Sequence, residues 1–178
     1  MLVERRIRSY QAPLHQYMCG GGKRAIEIAH RRWGKDEIAL AWTFQALTDR
    51  PATYWHCLPQ LNQARKAIWT AVNPHTGKRR IDEAFPVELR EVTNEQEMFI
   101  RFKNQSTWQV IGSDTYDSLV GAGVAGIVFS EWALANPSAW GYLSPMMREN
   151  NGWALFITTP RGKNHAYDMF NHAVKSDD

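Results

Sequence analysis

The stretch Arg24-Ala25-Ile26-Glu27-Ile28-Ala29-His30-Arg31-Arg32-Trp33-Gly34-Lys35-Asp36 decides the fold. Residues 24–29 alternate in the manner of a strand, and from Asp36 to Ala46 the apolar Ile38, Ala41 and Trp42 recur at helical spacing. The polar turn Ala29 to Asp36 therefore has the context of a phosphate-binding loop, with a strand before it and a helix after it. Such a loop curls backbone N–H groups around a phosphate and aims a helix N-terminus at it. Gly34 permits the close turn, and Lys35 supplies the charge for the outer phosphates. The GxxxxGK[ST] pattern is imperfect at both ends, with Ala29 for the first glycine and Asp36 for the hydroxyl residue. An aspartate oxygen is still a hard ligand suited to Mg²⁺, although its charge beside the phosphates then requires the ion. Taken alone, the segment is equally a basic turn opening a surface helix.

On either side of this loop, strands and helices alternate, which predicts an α/β fold with a mostly parallel sheet flanked by helices. A short helix is expected over Ala12 to Met18, ahead of the turn Gly20-Gly21-Gly22. Thr53 to Leu58 reads as a second strand, and Gln60 to Val72 as a helix started by Pro59. Asn73 to Arg80 is polar and basic, with Pro74 and Gly77 marking a loop. Short strands are expected at Val87 to Glu91, Glu97 to Lys103 and Thr107 to Ile111, the last two joined by a turn at Asn104-Gln105. Val124 to Phe129 and Trp153 to Thr158 are continuous apolar runs, the mark of strands buried on both faces. Pro137 to Glu149 and Asn164 to Ala173 read as helices, with Pro145 arguing against the second half of the former.

Both buried runs end in chemistry. Gly126-Ile127-Val128-Phe129-Ser130-Glu131 closes on a hydroxyl and then a carboxylate, at the strand end where catalytic groups of α/β proteins lie. Glu131 is the candidate general base for an attacking water. Ser130 stands where an aspartate is customary, so the metal-side charge is expected to have moved to Asp36. Trp153 to Gly162 ends in Thr158-Thr159-Pro160, where a hydroxyl can register a terminal phosphate and shift the strand. Tyr10, Pro13 and Gln16 precede the loop strand at the distance of an adenine-reading segment, and a glutamine can pair with both hydrogen-bonding edges of adenine. Each signal is weak alone. Their shared order along the chain carries the reading.

Bulk properties set the bounds. A chain of 178 residues accommodates one domain with a proper core. A net charge of +3 is compatible with DNA contact without demanding it. Cys19 and Cys57 form no CxxC pair, so they read as reduced thiols, and no apolar run approaches the roughly 20 residues of a membrane helix. The pairs His56-Cys57 and His15/Cys19 are assigned no metal. Most of the tryptophans are expected in the core.

Together the segments Ala29 to Asp36, Val128 to Pro137 and Gly152 to His165 resemble the large terminase subunit of tailed bacteriophages, in its N-terminal ATPase domain, across nearly the whole chain 1–178. The resemblance implies a phosphate-loop NTPase of the additional-strand class that uses ATP and Mg²⁺ to drive double-stranded DNA into a procapsid. Carried over, the nucleotide-binding residues are Gln16, Ala29, His30, Arg31, Arg32, Trp33, Gly34, Lys35 and Asp36. Lys35, Glu131 and Arg31 are the implied catalytic residues, Thr158 and Thr159 the coupling motif, and Asp36 and Ser130 the metal side. Val120 takes the place of an arginine in a loop that relatives commonly write SLRG. The implied partners are double-stranded DNA, the portal protein, the small terminase subunit and further copies in a ring on the procapsid. The implied setting is the host cytoplasm, with no membrane. The nuclease domain of the family has no counterpart in these residues, so no nuclease activity is expected. Lys78, Arg79, Arg80, Arg161 and Lys163 are the candidate DNA contacts. Two rival readings stand beside this one: a helicase-like ATPase, and a nucleotide- or DNA-binding module left inactive by Asp36 and Ser130.

Overall fold

A computed structural model describes residues 7–114 and 123–176. Seven strands form one sheet in the order β1-β7-β6-β2-β5-β4-β3. These are β1 (Arg24–Ile28), β2 (Thr53–Leu58), β3 (Arg90–Asn94), β4 (Phe99–Phe102), β5 (Thr107–Gly112), β6 (Val124–Ser130) and β7 (Trp153–Thr158). The five strands from β1 to β5 in the sheet order run parallel, and β4 and β3 add an antiparallel edge. The α/β architecture expected from the sequence is thus present. Strands β6 and β7 are buried along their whole length, as their unbroken apolar runs require of strands covered on both faces.

Among the described residues, six helices cover the sheet: α1 (Ala12–Cys19), α2 (Lys35–Asp49), α3 (Leu61–Ala64), α4 (Arg80–Ala84), α5 (Ser138–Glu149) and α6 (His165–Lys175). One core gathers Leu40, Leu47, Trp69, Phe85, Trp108 and Leu155, where α2 and the segments around α4 meet the sheet face beneath them. The other gathers Phe129, Trp132, Leu143, Met147 and Phe156, where α5 and the turn after β6 pack on the opposite face. Trp42, Trp55, Trp69, Trp108, Trp132 and Trp153 are all buried.

Four local expectations change. The helix expected over 60–72 is only α3, which widens into a π-helical turn over Arg65–Trp69, closed by Thr70 N donating to the Arg65 carbonyl. Residues 80–84, read as the end of a loop and beyond, form α4. Arg90 secures it, its guanidinium donating to the Ile81 and Phe85 carbonyls and pairing with Asp82 at 2.9 Å. The strand expected at 87–91 begins only at Arg90, after a 3-10 turn over Val87–Leu89. Pro145 lies inside α5 without ending it. It leaves the Gly141 carbonyl without a helical N–H, and the Ser144 hydroxyl donates there instead at 3.4 Å.

One glycine fixes how closely β6 and β7 pack. Gly126 pairs with Trp153, and a Cβ at 126 would lie 2.3 Å from the Trp153 indole. Gly126→Ala should therefore destabilise the fold by about 1–3 kcal/mol through overpacking. Chemical denaturation checks this, and an unchanged midpoint would contradict it.

Candidate nucleotide site

The loop between β1 and α2 is shaped by its own backbone and by the segment before α1. Ala29 extends the β1–β7 ladder, its N–H donating to the Thr158 carbonyl at 3.1 Å. Arg32 and Gly34 then adopt positive φ (65° and 88°), which turns the chain sharply into α2. Glycine is favoured at 34 by that left-handed φ, which an L side chain adopts only with strain, and the open space it leaves is taken by Arg8 Nη1 and Gln11 Nε2. Those two side chains and the Tyr10 hydroxyl all donate to the Trp33 carbonyl, at 3.2–3.3 Å. Gln11 also donates to the Gly34 carbonyl at 3.2 Å and is 4% exposed.

Lys35 opens α2 with a buried side chain whose amine donates to the Ala29 carbonyl at 2.9 Å and the His30 carbonyl at 3.0 Å. The lysine therefore lies folded back along its own loop, held by neutral acceptors. His30 Nδ1 lies 2.6 Å from the Arg31 carbonyl oxygen. Arg31 and Arg32 are exposed. His30 and Arg31 line an open cleft of about 330 Å³ together with Thr159, Pro160 and Arg161.

The next residue ties the loop to the sheet. Asp36 Oδ1 accepts a hydrogen bond from the Ser130 hydroxyl at 2.7 Å and lies 3.3 Å from Nε2 of the fully buried His56 on β2. Burial pushes the Asp36 carboxyl up. The bond and charge of His56, the Ser130 hydroxyl and the charge of Arg80 outweigh that and hold it below its ordinary value. Asp36 and Ser130 thus set a carboxylate and a hydroxyl oxygen side by side, a donor pair that fits Mg²⁺.

Glu131 follows at the end of β6 with φ 53°, a left-handed turn that carries the chain away from the sheet. Its Oε2 accepts a hydrogen bond from the Thr159 hydroxyl at 3.3 Å. Thr158 Oγ1 accepts from the Ala133 N–H at 3.1 Å, so β7 grips both the carboxylate and the turn that presents it. Lys35, Asp36, Ser130, Glu131, Thr158 and Thr159 therefore gather at one end of the sheet, the C-terminal ends of β6 and β7.

Not every expected residue joins them. Gln16 is exposed on α1, and the glutamine against the loop is Gln11, five positions earlier. Spacing alone did not separate the two. Burial does. His56 and Arg80 were also missed as neighbours of Asp36. His56 was read only as one of a histidine–cysteine pair assigned no metal, and Arg80 as part of a basic loop. Arg79 is engaged in ion pairs with Asp82 and Glu95, both at 2.9 Å, whereas Lys78, Arg161 and Lys163 are exposed. The segment 117–121 with Val120 lies outside the described residues. Cys19 Sγ lies 3.6 Å from His15 Nδ1, and Cys57 is buried, which pushes its thiol up. No cluster of three or more His, Cys, Asp or Glu suited to a metal occurs among the described residues. None of their helices is long and apolar enough to cross a membrane.

Strand β7 stands between β1, which leads into the loop, and β6, which carries Glu131. That inserted strand, with the loop at the start of α2, defines a phosphate-loop NTPase fold of the additional-strand class. Within this class, the chain resembles the ATPase domain of phage large terminase subunits. It is 28% identical over 163 residues to the large terminase subunits of Thermus phage G20c and Thermus virus P23-45, covering 83% of this chain and 33% of each relative. The chain thus spans about a third of the length of these curated relatives. Among solved structures, a variant of the Thermus phage P74-26 large terminase ATPase domain matches with a TM-score of 0.74 at 25% identity, over 95% of this chain and 71% of that one. The large terminase of another thermophilic bacteriophage shares the fold, with a TM-score of 0.71 at 14% identity, over 93% of this chain and 42% of that one. No family model matches the chain.

The Ser130–Asp36 bond yields a direct expectation. Ser130→Ala removes a donor that favours the charged carboxylate, so Asp36 should titrate at higher pH than in the unaltered protein. Carboxyl NMR titration reads the change, and an unmoved or lower Asp36 titration would contradict the assignment.

Proposed function

We propose that this chain hydrolyses ATP with Mg²⁺ as the motor part of a phage DNA-packaging enzyme. The observation that carries the reading is the Ser130–Asp36 hydrogen bond, which joins the loop of Lys35 to the strand end of Glu131. ADP is bound in a structure of the second thermophilic phage's large terminase, and the relatives named above are large terminase subunits, which supports nucleotide as the ligand.

Lys35 exchanges the carbonyls of Ala29 and His30 for phosphate oxygens, a stronger, charge-assisted pairing. Arg31, exposed at the cleft, adds positive charge in cis. Asp36 and Ser130 would hold the metal, and their adjacency supports Asp36 as the carboxylate that replaces the customary one at 130. A bound Mg²⁺ neutralises charge that develops on the phosphates. Glu131 orients a water and accepts its proton as the water oxygen bonds to the terminal phosphorus and the bond to the bridging oxygen breaks. ADP and phosphate leave. Thr159, donating to Glu131, holds the base until β7 shifts, which couples the chemistry to motion.

Packaging adds partners: double-stranded DNA, the portal protein, the small terminase subunit and further copies in a ring, in the host cytoplasm. Lys78, Arg161 and Lys163 are the exposed cations suited to DNA phosphates.

Steady-state turnover of ATP with Mg²⁺, with and without double-stranded DNA, tests the reading. Glu131→Gln should lower kcat by about 100-fold or more while nucleotide still binds, whereas Lys35→Ala should lose binding. Binding without turnover in the unaltered protein would favour the inactive-module reading. A second assay addresses the moved carboxylate: Asp36→Thr combined with Ser130→Asp should retain more turnover than either single change. A double variant no better than both singles would sink that part.

A further inference from the structure

Glu131 does not hold its own position. Its φ of 53° lies in the left-handed region, where a residue with a side chain persists only if its surroundings over-determine it. The chain then makes a short 3-10 turn over Trp132–Leu134. Inside it Leu134 N donates to the Glu131 carbonyl at 2.9 Å and Ala135 N to the Trp132 carbonyl at 3.0 Å. These bonds shape the turn without fastening it to the rest of the fold.

Two side chains from elsewhere fasten it. One is Thr158 at the end of β7, which accepts from the Ala133 N–H. The other is His165, the first residue of α6, whose Nε2 lies 2.7 Å from the Trp132 carbonyl oxygen. A carbonyl only accepts, so this ring nitrogen carries a proton and donates it. The same ring meets the Trp132 indole edge-on, with centroids 4.9 Å apart at 87°. That indole is 1% exposed and wedged against Phe129 and Phe156, at 5.1 and 5.0 Å. His165 is set in turn by Asn164, whose side-chain oxygen accepts from the Ala166 and Tyr167 N–H groups and caps α6. A capped helix end thus holds an imidazole against the backbone one residue after Glu131.

We propose that His165 is a positioning residue for ATP hydrolysis: through the Trp132 carbonyl it holds the left-handed turn that aims Glu131 at the nucleotide. The inference rests on the ATPase reading above and deepens it, because it ties the general base to α6. The donor carries the role more than the ring, since the hydrogen bond is what fixes the backbone beside Glu131. A base displaced by about 1 Å loses up to about 100-fold in rate, whereas nucleotide binding does not depend on it.

Steady-state ATP turnover and ADP titration calorimetry of the full chain with Mg²⁺ test it. The variants are His165→Phe, which keeps a ring and loses the donor, and His165→Gln, which keeps a donor and loses the ring. His165→Phe should lower kcat by about tenfold, with KM and ADP affinity within about twofold of the unaltered protein. His165→Gln should keep kcat within about threefold. His165→Ala, which loses both groups, should match His165→Phe and takes its place if the larger ring prevents folding. In a Glu131→Gln background, losing the donor should cost nothing further, because no base is left to position. Unchanged kcat without the donor, a His165→Gln rate no better than that of the donorless variants, or a full additional loss in the Glu131→Gln background would overturn this inference alone. An unaltered protein that turns over no ATP would overturn the ATPase reading and this inference with it.

Discussion

The 2.7 Å bond from the Ser130 hydroxyl to Asp36 fastens the start of α2 to the end of β6 across ninety-four residues of sequence. Without it the loop before α2 and the strand bearing Glu131 would be two separate features of one sheet edge. The bond places an acidic group in the first turn of α2, where the helix dipole favours negative charge. His56 beneath it and Arg80 beside it supply the compensating polarity, so the group stays ionised although much of it is covered.

Around that bond the site is held by its own carbonyls and hydroxyls. Lys35 is folded onto loop carbonyls, and Glu131 is held by Thr159. Three donors converge on the Trp33 carbonyl, and Tyr10 packs its ring 5.2 Å from that of Trp33, so the segment before α1 reports on the shape of the loop. Each of these contacts uses a weak or neutral partner that a charged ligand can displace. The sheet supplies the rigid part: β6 and β7 are buried throughout and bring Ser130, Glu131, Thr158 and Thr159 to one level.

The sheet-forming runs β2, β6 and β7 were legible in the sequence because each is apolar and bounded by turn residues, and the sharp turn between β1 and α2 because its glycine and lysine fall between two periodicities. The polar residues at the ends of β6 and β7 were legible for the same reason, since a buried strand must stop where polar residues begin. Other features were not. The helix α4 is too short for a periodic signal and depends on Arg90, a residue beyond its own end. The π-helical turn at 65–69 keeps the composition of an ordinary helix and differs only in which carbonyl each N–H reaches. The choice of Gln11 over Gln16 is a matter of which face of a short segment meets the loop, and His56 and Arg80 join the site only through the crossing of the sheet by α2. Tertiary placement decided each of these.

A crystal structure of the protein with Mg²⁺ and a non-hydrolysable ATP analogue bears most directly on the central claim. The account predicts a triphosphate on the loop of residues 29–36, Lys35 released from the Ala29 and His30 carbonyls onto phosphate oxygens, and the Glu131 carboxylate facing the terminal phosphate. A nucleotide bound elsewhere, with Lys35 still on those two carbonyls, would contradict it.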